Sequence, residues 1–101
     1  MPNHNTEILI VDESSSIRAT IAEYLGDDYI IYYAADGEEG WKLLQSNESI
    51  SLVFTDMHMP LADGMPLLQK IRQADSERIA NIPVIIITGT DESEEEKKSA
   101  L

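Results

Sequence analysis

The feature that most constrains the fold is an alternation between short apolar runs and segments of helical periodicity. The runs are rich in β-branched residues and occupy positions 7–12, 29–35, 51–56 and 82–90. Apolar runs of this length are typical of strands that are buried on both faces of a sheet. Strands that alternate with helices form parallel sheets with helices on both faces. The sequence therefore predicts an α/β fold with the element order βαβαβαβα.

The segments between the runs have the sequence features of helices. The first, 14–26, has apolar residues on one helical face, serines that can cap its start and a glycine that can end it. Two further helices are predicted over 36–47 and 65–74, and a fourth begins after the last strand. Trp41 could pack in the core or serve as a surface anchor, and we favour the core. The tyrosines of 29–35 make that run less uniformly apolar, so we expect it at a sheet edge.

Composition narrows the class of protein and of partner. The 101 residues favour one domain, 1–101, and the 43% of hydrophobic residues suffice for a packed core. A net charge of -12 argues against DNA, RNA or an anionic membrane as a direct partner. The absence of cysteine excludes disulfides and thiolate chemistry and fits a cytoplasmic location. We see no signal peptide, and no apolar run approaches the ~20 residues that span a bilayer.

Acidic side chains stand where two of the predicted strands end. Asp12 and Glu13 close the first run, Asp56 closes the third, and Thr88 stands near the end of the fourth. Ligands of open α/β sheets bind beyond the carboxyl ends of the strands, so these side chains would meet if the first and third strands are neighbours. Close carboxylates raise one another's pKa, and a hard divalent cation such as Mg²⁺ would offset their repulsion. The only basic side chain expected nearby is that of His58.

These residue types are suited to phosphoryl chemistry. A carboxylate beside Mg²⁺ can attack phosphorus and form an aspartyl phosphate, while the metal neutralises charge on the transferring group. Asp56 is the candidate nucleophile, and the Thr88 hydroxyl is a candidate hydrogen-bond donor to a phosphoryl oxygen. Each acid taken alone could instead cap the following turn. The occurrence of three acids and a hydroxyl at strand ends favours a site.

Three stretches, ILIVDE, LVFTDMHMPLADG and PVIIITGT, resemble in this order the receiver domain of two-component response regulators. The resemblance covers nearly the whole chain, and its motifs are specific because they occur together. It implies a doubly wound, flavodoxin-like parallel sheet with strand order 2-1-3-4. The family's fifth strand and last helix would lie beyond Leu101, so we expect the receiver domain to be incomplete at its C-terminus.

The resemblance also implies a role for individual residues. Asp56 matches the phosphoacceptor, and Asp12 and Glu13 match the acidic pair that holds Mg²⁺. Thr88 matches the switch hydroxyl, and His58 falls where the family uses a backbone carbonyl as a metal ligand. Three dipeptides match the loops around the site: Asp36-Gly37, Met59-Pro60 and Asp63-Gly64.

The sequence departs from the family pattern at two points. Glu13 stands where aspartate is commoner, and its extra methylene could shift the metal. The family's lysine and switch aromatic would follow Leu101, so neither role can be assigned. Without a fifth strand, the fourth strand would expose an apolar edge, and we expect the chain either to be poorly stable or to form a homodimer or swapped oligomer through this edge.

The function that the resemblance implies is that of a signalling switch, which catalyses only its own phosphorylation and dephosphorylation. The donor would be a sensor histidine kinase or a phosphotransfer protein, and an output domain in cis or in trans would read the phosphorylated state. One alternative is a degenerate receiver-like module that acts only through protein–protein interaction. Another is a Mg²⁺-dependent phosphohydrolase of the haloacid-dehalogenase type, which is disfavoured because its second aspartate is replaced by His58.

Overall fold

The four strands form one parallel sheet in the order β2-β1-β3-β4. The computed structural model describes residues 6–87. Its strands are β1 (Thr6–Val11), β2 (Tyr29–Ala34), β3 (Ile50–Asp56) and β4 (Val84–Ile87). The predicted fold class and strand order are confirmed, and β2 lies at an edge, as its tyrosines suggested. The expected oligomer through β4 stays a prediction.

The helices agree with the predicted segments, with two differences. They are α1 (Ser15–Leu25), α2 (Gly37–Ser46), α3 (Leu67–Arg72) and α4 (Glu77–Ala80). The third helix was predicted over 65–74, but the ψ of Pro66 is 144°, which is extended, so α3 begins only at Leu67. Helix α4 was not predicted, because four residues are too few to show helical periodicity. The helix predicted after residue 90 lies outside the described residues.

The two faces of the sheet bury different side chains. Leu9 and Val11 of β1 belong to the main core, together with buried residues of α2, α3 and α4. Ile8 and Ile10 alternate with them and are also fully buried, so they lie on the opposite face. Helix α1 contacts β1 and β2. The sheet is therefore covered on both faces over β1, as expected for a doubly wound fold.

Helices α2 and α3 pack against each other beside this core. Trp41 of α2 is half-buried and contacts the core cluster, so the predicted core position is only partly correct. The Lys70 ammonium of α3 lies over its ring, 5.4 Å from the centroid. Arg78 of α4 donates hydrogen bonds to the carbonyl oxygens of Leu44 and Ile50, at 2.8 and 3.2 Å. These contacts tie α4 to the end of α2 and the start of β3.

The start of α2 packs directly on the loop that follows β3. The Asp36 side chain caps the helix by accepting from the Glu39 backbone N–H at 2.8 Å. A Cβ at Gly37 would lie 2.6 and 2.8 Å from the carbonyl oxygens of Met59 and Pro60. The helix can approach this closely only because residue 37 lacks a side chain.

No helix within residues 6–87 is long and apolar enough to cross a bilayer.

We expect Gly37→Ala to lower the free energy of unfolding by about 1–3 kcal/mol, because the new methyl group would overlap backbone atoms that cannot turn away. Urea unfolding followed by circular dichroism measures this change. Gly40→Ala in the same helix is the matched control, since its Cβ would meet a side-chain atom, Val11 Cγ2, at 2.9 Å. That substitution also gains roughly 1 kcal/mol of helix propensity. Equal losses in the two variants would contradict the proposed backbone contact.

Candidate functional site at the strand ends

Asp12 follows β1 and has three of its four polar atoms hydrogen-bonded. Its N–H donates to the Ala34 carbonyl of β2 at 3.0 Å, and its carbonyl accepts from Arg18 Nη1 at 2.6 Å. Its Oδ1 accepts from the Ser14 N–H at 2.8 Å. The fourth atom, Oδ2, is buried and has no hydrogen-bond partner within the described part of the chain. The carboxylate thus keeps one oxygen for a ligand.

Asp56 lies beside Asp12 because of the strand register. Val11 of β1 pairs with Thr55 of β3, so the residues that follow each of them stand next to one another. Asp56 is half-buried, and its Oδ1 accepts from the His58 N–H at 3.1 Å. Its carbonyl accepts from the buried Thr55 hydroxyl at 3.0 Å. The predicted meeting of Asp12 and Asp56 is therefore present in the structure.

Burial, hydrogen bonds and the charges of Asp56 and Arg18 all influence the pKa of Asp12. Burial raises the pKa of the Asp12 carboxyl and is the largest influence on it, while the Ser14 N–H lowers that pKa. The negative charge of Asp56 raises the pKa of Asp12 further, and the positive charge of Arg18 lowers it. Asp12 is 1% exposed, so water offers its ionised form little solvation. A cation bound at Oδ2 would remove this cost.

Arg18 is the basic side chain that the sequence analysis missed. It lies in the first turns of α1, and its guanidinium reaches back to the Asp12 carbonyl. The six-residue separation and the helix N-cap at Ser14 were both readable in the sequence. The direction in which the side chain points was not, because it depends on how α1 packs over the sheet.

The loop after β3 is fixed by its own hydrogen bonds and by α2. Leu61 donates to the Met65 carbonyl at 2.8 Å and accepts from the Gly64 N–H at 2.9 Å. Gly64 has φ 89°, a left-handed value that favours glycine. Glu38 of α2 accepts from the Ala62 N–H at 3.0 Å. The loop that follows Asp56 is therefore held in place by hydrogen bonds within it and by a hydrogen bond to α2.

The metal set predicted from the sequence is only partly assembled. Asp12 and Asp56 come together, but Glu13 is exposed. Within residues 6–87, no group of three histidine, aspartate or glutamate side chains gathers closely enough to hold a metal ion. Two carboxylates and backbone oxygens nevertheless suit Mg²⁺, which binds through one or two carboxylates and keeps several waters. The buried, unpartnered Oδ2 of Asp12 fits such an ion. The roles of Glu13 and of the His58 carbonyl as ligands stay predictions.

The predicted switch hydroxyl of Thr88 lies outside the described residues. Ile87, the residue before it, pairs with Asp56 in the register of β3 and β4. The His58 side chain is exposed, and only its N–H contacts Asp56. The structure therefore leaves the role of Thr88 as a prediction.

Comparisons with known proteins place this site in a family. The family model for the response regulator receiver domain matches residues 8–101. A chemotaxis protein CheY homolog of Campylobacter jejuni is 34% identical over 85 residues, which cover 81% of this chain and 63% of that protein. The chemotaxis protein CheY1 of Helicobacter pylori is 36% identical over 86 residues, which cover 81% and 66%. The chain thus spans somewhat less than two thirds of the length of these curated relatives.

Solved structures have the same fold. A response regulator receiver protein from Pseudomonas putida superposes with a TM-score of 0.70 at 25% identity, covering 98% of this chain and 80% of that one. CheY6 from R. sphaeroides, solved in complex with the P1 domain of CheA3, gives a TM-score of 0.59 at 20% identity. That match covers 97% of this chain and 95% of the other, and at this identity it supports the fold alone.

The raised pKa of Asp12 predicts how stability depends on pH when no metal is present. Because the pKa of Asp12 is raised in the folded state, protonation of this carboxyl stabilises the fold. This contribution to the free energy of unfolding is fully present below pH 3.8 and is lost as pH rises through the folded-state pKa. Asp12→Asn keeps an oxygen for the Ser14 N–H but removes the charge. In EDTA at pH 7 we expect this variant to be more stable than the wild type, with a difference that shrinks toward pH 4.

Urea unfolding at several pH values measures this difference. Asp75→Asn, which removes an exposed charge far from the site, controls for the change in net charge. An Asp12→Asn variant that is less stable than the wild type at pH 7 in EDTA would contradict the interpretation.

Proposed function

We propose that this chain, which belongs to the receiver-domain family of response regulators, accepts a phosphoryl group on Asp56 in a Mg²⁺-dependent reaction. The observation that carries the proposal is the pair formed by Asp12 and Asp56 at adjacent strand ends. Asp12 has a buried oxygen that no group within residues 6–87 bonds, and Asp56 is more accessible. The product would be a signalling state rather than a released molecule.

The contacts of Asp56 support its role as the nucleophile. The His58 N–H holds Oδ1 at 3.1 Å, which orients the carboxylate and leaves Oδ2 as the attacking oxygen. In the proposed transfer, Oδ2 forms a bond to phosphorus while the P–N bond of a phosphohistidine breaks. The electron pair of that bond stays on the imidazole nitrogen of the donor. Attack by a fixed, ionised oxygen requires no general base in this chain.

Asp12 would hold the metal through Oδ2, with Asp56 and the His58 carbonyl as further ligands and Glu13 acting directly or through water. When bound, Mg²⁺ neutralises charge on the phosphoryl oxygens. Asp12 itself holds its oxygen in place through the Ser14 N–H, the Arg18 guanidinium and the pairing with β2. The hydroxyl of Thr88, predicted as the switch, would then bond to the phosphoryl group.

The proposed donor is a sensor histidine kinase or a phosphotransfer protein, and the proposed location is the cytoplasm. Membership of the receiver-domain family supports a donor of this class. The reader of the phosphorylated state would be an output domain, in cis or in trans. Because the site modifies its own side chain, the domain would act as a switch and not as a turnover enzyme.

We expect Asp56→Asn to abolish acyl-phosphate formation, because an amide oxygen is a far weaker nucleophile than a carboxylate. The protein is incubated with acetyl phosphate and MgCl₂, and the added phosphate is located by mass spectrometry. Asp63→Asn is the matched control, because Asp63 lies in the same loop and Asn keeps an acceptor for the Met65 N–H. Phosphate on another residue, or phosphate retained in Asp56→Asn, would refute the assignment. An intact fold that takes up no phosphate would favour the interaction-only module.

We expect Mg²⁺ to stabilise the fold by ~2.7 kcal/mol at 100 times its dissociation constant, because the ion binds only the folded state. Thermal melts in MgCl₂ and in NaCl of equal ionic strength measure the effect. Asp12→Asn should lose most of it, since the variant lacks the charged Oδ2. Identical melting temperatures of the wild type in the two salts would exclude the metal site.

A further inference from the structure

We infer that Arg18 is a positioning residue for the metal site. Its guanidinium donates to the Asp12 carbonyl at 2.6 Å, and this bond holds the backbone from which the metal-binding carboxylate projects. The inference rests on the proposed Mg²⁺ site at Asp12 and Asp56. It assigns to a residue of α1 a function that the acidic residues alone do not reveal.

Asp12 is held by hydrogen bonds at three of its four polar atoms. Its N–H is fixed by Ala34 at 3.0 Å, its Oδ1 by the Ser14 N–H at 2.8 Å and its carbonyl by Arg18. These contacts come from β2 and from the start of α1, and Oδ2 is the one polar atom of Asp12 that has no partner among residues 6–87. Removing any one of them would allow the aspartate to rotate and would change where Oδ2 lies.

Two of these contacts come from the start of the same helix, α1. Ser14 is the N-cap of α1, its carbonyl accepts from the Arg18 N–H at 3.1 Å, and its side chain accepts from the Ile17 N–H. The Ser14 N–H and the Arg18 guanidinium therefore both reach Asp12 from the start of α1. Groups that orient a metal ligand in this way typically change metal affinity about 10- to 100-fold when they are removed.

The positive charge of Arg18 would have the opposite effect on Mg²⁺ affinity from its positioning role. The direction of the change in affinity when Arg18 is replaced therefore tests the inference. A cation near Asp12 competes with Mg²⁺, so electrostatics alone predicts that removing it tightens metal binding. Positioning predicts that removing it weakens binding, because the Asp12 oxygen is no longer held toward the metal. The direction of the change separates the two roles.

The experiment is a MgCl₂ titration of the protein by isothermal calorimetry. For Arg18→Gln we expect a dissociation constant at least about tenfold higher than that of the wild type. Arg18→Lys keeps the charge and one donor and should fall between the two. Arg72→Gln is the matched control, because Arg72 also donates to backbone carbonyls, those of Ala80 and Ile82, but at the far end of α3. It should bind Mg²⁺ as the wild type does.

A second readout follows the aspartate directly. The amide resonance of Ser14, which donates to Asp12 Oδ1, should shift in Arg18→Gln without metal and return toward the wild-type position in Arg18→Lys. Amide spectra and melts in EDTA establish that each variant is folded at the temperature of the titration, and Arg18→Lys carries the test if Arg18→Gln does not fold.

Two results would overturn the inference: unchanged binding in both Arg18 variants, or tighter binding in Arg18→Gln. A wild type that binds no Mg²⁺ would instead refute the metal site itself.

Discussion

The buried carboxylate of Asp12 is the constraint on which the rest of the site depends. An ionised oxygen that is shielded from water and lies beside a second acid raises the free energy of the folded chain unless charge or hydrogen bonds compensate. The fold supplies part of that compensation through the Ser14 N–H and the Arg18 guanidinium. It leaves Oδ2 without a partner among the described residues, and this atom is the one that a cation would contact.

The N-termini of α1 and α2 contact the two sides of the acidic pair, Asp12 and the loop after β3. The first turn of α1 fixes Asp12, while the start of α2 braces the loop beyond Asp56 through Glu38 and the close approach at Gly37. Neither helix supplies a carboxylate to the acidic pair. Their contribution is to keep the strand ends and the loop in fixed positions, and preorganisation of this kind keeps reacting groups near productive geometry.

Much of the fold was predictable because buried parallel strands have a strong sequence pattern. The four apolar runs and the adjacency of Asp12 and Asp56 followed from that pattern and from the family resemblance, and Ser14 was one of the serines expected to cap the first helix. Glu13 is exposed beside the buried Asp12, since successive side chains of an extended chain point in opposite directions, and its role as a ligand stays a prediction. Arg18 and the four-residue helix α4 were missed, since both are determined by contacts between segments that are distant in sequence.

The contact between α2 and α3 also has an optical consequence. Trp41 is the only tryptophan in the sequence, and its indole packs on the core with the Lys70 ammonium 5.4 Å from the ring centroid. Tryptophan emission responds to nearby charge and to polarity, so the intrinsic fluorescence of this protein reports the seam between these two helices. A change in that emission on binding of a ligand at Asp12 and Asp56 would therefore report a change in the packing of α2 against α3.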